Sequence, residues 1–182
     1  MSYVEKIGER EINAAITGLR RLLGENDLAG KSFIDIGSGS GLHSLAALRL
    51  GASRVIAVDI DADSVQATRS LLGRFASDQN WTVACHSVFD LDTEKIGQFD
   101  VVYSWGVLHH TGAMHRALAQ AAALCAEQGL FVFALYRRVW MDPVWKIVKR
   151  WYSHASPRAQ RRSRAVYIKL FRAGLRLTNR DP

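Results

Sequence analysis

The stretch Lys31–Asp61, KSFIDIGSGSGLHSLAALRLGASRVIAVDID, decides the fold. Phe33, Ile34 and Ile36 make a short apolar strand, and Gly37, Ser38, Gly39, Ser40 and Gly41 make a turn open only to small residues. Leu42, Leu45, Ala46 and Leu48 form the apolar stripe of a helix over 42–50, which Gly51 stops. Val55–Val58 is a second buried strand with Asp59 at its carboxyl end. Such a βαβ unit offers backbone N–H groups and a helix N-terminus to a ligand, with a carboxylate placed for a ribose.

Outward from this unit, strands alternate with helices. Residues 3–23 carry Val4, Ile7, Ala14, Ile16, Leu19, Leu22 and Leu23 at near-helical spacing, ending at Gly24. A helix over about 64–76, capped by Asp63 or Ser64, turns Val65, Leu71, Leu72 and Phe75 inward. Strands are expected at Trp81–Cys85 and Phe99–Ser104, and loops at 86–97 and 105–112. A helix over 113–126 has Met114, Leu118, Ala121, Ala122 and Cys125 as its inner side. Leu130–Tyr136, LFVFALY, reads as a strand buried on both faces. The expected class is α/β: a Rossmann-like, doubly wound, mostly parallel sheet of about five strands, followed by basic C-terminal helices.

The 182 residues fit one core-forming domain, 1–136, and an extension, 137–182, expected to pack on or cover it. Charge divides at the same place. Residues 137–182 hold 13 Lys or Arg against Asp142 and Asp181, whereas residues 1–136 are net acidic. The basic segment suits an anionic partner, nucleic acid or a membrane surface, or is a solvated amphipathic helix pair. No apolar run reaches transmembrane length and MSYVEKIGER is no signal peptide, so the expected location is cytoplasmic. Cys85 and Cys125 read as buried reduced thiols without metal-ligand spacing.

The turn has glycines at its first, third and fifth positions, Gly37, Gly39 and Gly41, with Leu42 at the sixth. A dinucleotide fingerprint needs a glycine at the sixth. Asp35 stands in the strand end, and Asp59 follows Gly41 by 18 residues, the span of one helix and one strand. With IDIGSGSG, VIAVDID, FDVVYSWGVLHH and GLFVFALY in order over 31–136, the chain resembles the class I S-adenosylmethionine-dependent methyltransferases. YSWGVLHHTG resembles a bacterial subgroup acting on small molecules.

The resemblance implies a cofactor, S-adenosylmethionine, with S-adenosylhomocysteine as product and no metal. It implies that Gly37, Ser38, Gly39 and Gly41 let the backbone approach the methionine part, with Asp35 near its amino group. Asp59 would hold both ribose hydroxyls and Ile60 would pack on adenine. Ser87 and Val88 align with the adenine-edge positions. The family often has Asp where Ser87 stands, so Asp90 is the alternative there. Ser104 and Trp105 would line the pocket beside the methyl group. His109 and His110 are candidate bases, of which at most one is expected to face the pocket.

The implied function is methyl transfer to a small-molecule or lipid-like acceptor. Two alternatives stand: an RNA methyltransferase using the basic extension, or a non-catalytic cofactor-binding remnant. The family sheet usually has two further strands after the fifth, and here 46 mostly helical residues follow Tyr136. The fifth-strand edge is therefore expected to be covered by the extension or by a second copy of the chain.

Overall fold

The computed structural model describes residues 7–24, 28–136 and 142–177. The chain forms two compact units, 1–136 and 137–182. In the first, helix α1 (Glu9–Leu22) precedes β1 (Ser32–Ile36), α2 (Leu42–Arg49), β2 (Arg54–Asp59), α3 (Ala62–Phe75) and β3 (Trp81–Cys85). A 3-10 turn (Val88–Asp90) and the short α4 (Thr93–Ile96) lead to β4 (Phe99–Trp105). A second 3-10 turn (Leu108–His110), α5 (Met114–Ala123) and β5 (Cys125–Ala134) complete it. The second unit contains α6 (Asp142–His154) and α7 (Pro157–Leu177).

The sheet runs β3-β2-β1-β4-β5, and every pair is parallel. The chain winds outward from β1 through β2 to β3, then crosses to the other side of β1 for β4. That reversal opens a crevice at the carboxyl ends of β1 and β4, where ligands bind in doubly wound sheets.

Two apolar layers clamp the sheet. Phe33, Val55, Ala57, Val101 and Tyr103 face one way, against Ile12 and Leu19 of α1, Leu45 and Leu48 of α2, and Leu71 and Leu72 of α3. Ile34, Ile36, Ile56, Val58 and Val102 face the other, against Leu91, Leu108, Ala117, Ala121 and Leu124. The period-2 alternation assigns each face.

Several boundaries and facings differ from the sequence reading. Val4 lies outside the described residues; α1 starts at Glu9, where the Glu11 carboxylate accepts from the Gly8 N–H at 3.0 Å, and Leu22 is exposed. Asp61, not Asp63 or Ser64, caps α3, accepting from the Ser64 N–H and hydroxyl at 2.9 and 2.7 Å. Ala122 faces outward on α5, and Ala117 takes the buried place. β5 starts five residues earlier than expected. Cys125 pairs with Phe99 and Leu130 with Val101, so residues 126–129 bulge out between two adjacent pairings. Gly129 sits where an added Cβ would lie 2.9 Å from the Phe99 carbonyl. β5 is an edge strand and is not buried on both faces: Leu130 and Phe133 are exposed. Cys85 is likewise exposed and Cys125 half-buried in a strand, not a helix.

Tyr103 is the largest fully buried side chain, stacked on Phe33 at 5.7 Å, and its hydroxyl has no hydrogen-bond partner. Burial, and then the Asp35 charge, push its pKa up. An unpartnered buried hydroxyl costs about 1–3 kcal/mol. Tyr103→Phe is therefore expected to keep or raise the thermal midpoint; a fall of several degrees would show that the hydroxyl is satisfied.

Candidate active site

The glycine turn is stitched to the end of β2. The Gly37 and Ser38 N–H groups both donate to the Val58 carbonyl, at 2.8 and 3.1 Å. The Gly39 N–H donates to Asp59 Oδ2 at 2.9 Å, and Asp59 Oδ1 accepts from the Asp61 N–H at 3.0 Å. Each carboxylate oxygen keeps a second lone pair. Asp59 is thus oriented by two amides and still has acceptor capacity.

Beside this turn lies a cavity of about 350 Å³. Ile36 and Gly37 line it from the end of β1, and Asp59 and Ile60 from the end of β2. His86, Ser87, Val88 and Phe89 line it after β3, and Val107, His110 and Thr111 after β4. The lining comes from four parallel strand ends around the topological switch. Ser87 is held by its own turn, its hydroxyl accepting from the Phe89 N–H at 3.3 Å. Ile60 is 74% exposed, an apolar surface left open beside a carboxylate.

Gly37 and Gly39 differ in kind. Gly37 has φ +82°, and a Cβ there would stand 2.4 Å from Val107 Cγ2. It is needed for close packing of the β1 and β4 ends. Gly39 has φ +55° with nothing within 4 Å of a built Cβ, so the backbone stands bare. Gly41 caps α2, and the Ser38 hydroxyl turns inward to Thr68 at 3.1 Å. These two shape the turn rather than line the cavity.

Asp35 lies beneath the turn, 2% exposed, accepting from the Ser44 hydroxyl at 2.6 Å. Its carboxyl pKa is raised to about 6, mainly by burial, with Ser44 opposing and the Asp59 charge adding to the rise. It does not line the cavity. Asp90 is exposed at the end of its 3-10 turn and also lies outside the lining.

The structure moves two expected residues away from the cavity. Ser104 is 0% exposed and donates its hydroxyl to the Ile36 carbonyl at 2.9 Å, tying β4 to β1. Trp105 stacks on Tyr103 at 6.1 Å outside the lining. The alternation along β4 places Tyr103 and Trp105 on the α1–α2 side, while the cavity opens toward residues that follow the strand. Of the histidine pair, His110 lines the cavity. His109 packs edge-on to Tyr136 at 4.9 Å with both ring nitrogens buried and unpartnered. Burial, and then His110, lower its pKa. The sequence reading assigned no role to Ile36, His86, Phe89, Val107 or Thr111. All follow, or end, a parallel strand, and that position was the available signal.

A family profile described as a methyltransferase domain matches residues 7–172. The chain belongs to the methyltransferase-domain family. Its fold is that of class I S-adenosylmethionine-dependent methyltransferases. A Mesorhizobium loti S-adenosylmethionine-dependent methyltransferase superposes with a TM-score of 0.54 at 23% identity, over 67% of this chain and 53% of that one. Magnesium protoporphyrin IX methyltransferase from Synechocystis, solved with its cofactor bound, gives 0.53 at 22%, over 69% and 60%. Ribosomal protein L11 methyltransferases from Aeromonas hydrophila and Serratia proteamaculans are 58% identical over 43 residues, 24% of this chain. This methyltransferase domain covers 15% of the length of those relatives.

The residues present fit the family's cofactor. The bare Gly39 backbone leaves room beside Asp59, whose oriented oxygens suit a pair of ribose hydroxyls, and Ile60 offers an apolar face to adenine. Among the described residues no group of three or more His, Cys, Asp or Glu could hold a metal.

Two predictions follow from this geometry. Gly37→Ala is expected to abolish binding of S-adenosylhomocysteine by calorimetry, because Val107 must move, whereas Gly39→Ala retains the fold and weakens binding. The second concerns pH. A carboxyl whose folded pKa is raised stabilises the fold below its unfolded pKa, and that contribution is lost as pH rises through the folded value. From 3.8 to about 6, Asp35 forfeits about 3 kcal/mol. Asp35→Asn is expected to flatten the fall in denaturant midpoint between about pH 4 and pH 6; a parallel profile would contradict it.

Proposed function

We propose that the protein transfers the methyl group of S-adenosylmethionine to a small-molecule or lipid-like acceptor. The observation that supports this most is the Asp59 carboxylate, aimed by the Gly39 and Asp61 amides at the edge of an apolar cavity. The bound cofactor supplies a methyl group already activated by positive charge on sulfur, so the protein need only align an acceptor and exclude water. Asp59 accepts from the ribose hydroxyls. Ile36, Val88, Phe89 and Val107 keep the cavity dry. Ser87 stands at the adenine edge with a hydroxyl, where a carboxylate would add charge.

His110 is the residue placed to accept a proton from the acceptor, since it alone of the pair faces the cavity. His109 fixes the loop through its contacts with His110 and Tyr136. The SWGVLHH loop, which resembles that of methyltransferases acting on small molecules, supports a small acceptor. The L11 methyltransferase likeness spans only 43 residues, too short a segment to carry an argument for a protein acceptor.

Hydrogen bonds to a charged group contribute about 1.5–3 kcal/mol each, so Asp59→Ala is expected to weaken S-adenosylhomocysteine binding at least tenfold. Unchanged affinity by calorimetry would overturn the assignment. With an acceptor found by screening, His110→Gln is expected to lower kcat with little change in the cofactor KM. Binding without turnover across a broad acceptor panel would favour the non-catalytic reading.

A further inference from the structure

We propose that the second unit is a peripheral docking surface for anionic phospholipid membranes. This goes beyond methyl transfer and does not depend on it. Between Pro143 and Arg180 the chain has no acidic residue. On α6, Val144, Trp145, Ile147, Val148, Trp151 and Tyr152 share one arc of roughly 160° at 100° per residue. All six are exposed. Lys146, Lys149 and Arg150 occupy the opposite arc, also exposed. On α7, Val166, Tyr167, Ile168 and Phe171 are exposed beside Arg161, Arg162, Arg164 and Lys169.

The pairing of α6 with α7 does not consume these faces. Trp145 meets Tyr167 edge-on at 6.2 Å, and Tyr167 stacks on Phe171 at 6.0 Å. A groove of about 300 Å³ remains, walled by Trp145, Val148, Trp151 and Tyr167, with Lys149 and Arg164 at its rim. At the α6–α7 turn a further open cavity of about 570 Å³ is lined by Ser156, Arg158, Ala159, Arg161 and Arg162. The apolar groove suits acyl chains, and Lys149 and Arg164 at its rim suit phosphate headgroups.

Charge complementarity selects the occupant. A surface this basic calls for an anionic partner, which disfavours a second copy of the same unit. Nucleic acid would use the cations and the aromatic rings but would leave the aliphatic Val144, Ile147, Val148, Val166 and Ile168 in water. An anionic bilayer engages both: aliphatic and aromatic side chains enter the interface while cations meet headgroups. No described helix is long and apolar enough to cross a membrane, so the association is a surface one.

The test is flotation of the full chain with phosphatidylcholine vesicles, with and without a quarter phosphatidylglycerol, at low and high salt. Binding is expected only to the anionic vesicles, weakened by salt, with a blue shift of tryptophan emission. Each cation near such a surface contributes about fivefold, so Lys146→Glu, Lys149→Glu and Arg150→Glu combined are expected to weaken binding at least about a hundredfold. Ile147→Asp alone is expected to weaken vesicle binding while leaving affinity for a single-stranded RNA oligonucleotide unchanged. All four positions are exposed, and circular dichroism confirms retained helix. No binding to anionic vesicles at low salt overturns the proposal. So does RNA binding tighter than vesicle binding with Ile147→Asp neutral for both, or Ile147→Asp dispersing a dimer while vesicle binding stays intact. None of these readouts uses methyl transfer, so they stand apart from the fate of that reading.

Discussion

The turn after β1 is held by amides that reach across to β2. Gly37 and Ser38 donate to the Val58 carbonyl near the end of β2, and Gly39 donates to the carboxylate of Asp59, its last residue. These three bonds fix the distance between the two strand ends, and with it one wall of the cavity. Everything else about the site follows from that spacing. α2 can start at Leu42 only because the chain has already reversed, and Val107 can approach from β4 only because Gly37 lacks a side chain. The site is therefore built largely by backbone, and the side chains that matter are those the backbone aims.

Burying Asp35 two residues before this turn works against stability. Its buried carboxyl is partnered by the hydroxyl and backbone amide of Ser44 and is close enough to Asp59 to feel a second negative charge. A hydrophobic residue would pack there at lower cost. The Asp59 charge adds to the burial cost of Asp35, and a positive charge bound in the neighbouring cavity would offset part of it, which gives a physical reason for keeping a carboxylate in that position.

The side of the cavity formed by the glycine turn and β2 was legible because it obeys period and spacing. Asp59 is recognisable at a strand end, and glycines that must adopt positive φ leave a mark in the sequence. The β4 side was not. Ser104 and Trp105 occupy adjacent places in a motif, yet alternation sends them to opposite faces, and Ser104 meets a carbonyl of β1 that no local pattern reveals. The early start of β5 was hidden because residues 126–129 bulge from the ladder and lose the strand period. The choice between His109 and His110 depends on Tyr136, which lies 26 residues downstream of the nearer histidine. Contacts between distant segments decided each of these, and hydrophobic periodicity carries no information about them.

The same distinction separates what the fold determines from what it leaves free. Asp59, Gly37 and Gly39 stand at strand and turn positions fixed by the pairing of β1 with β2 and by the amide bonds between turn and strand end. His86, Thr111 and the His109–His110 turn lie on loops that follow the strands, where substitutions change the cavity without disturbing the ladder. A domain built this way can keep its cofactor while its acceptor changes. The charge divides along the same line: the net acidic unit contains the strand-end cavity, and the basic residues concentrate in the other unit, where the cavity takes none of its lining.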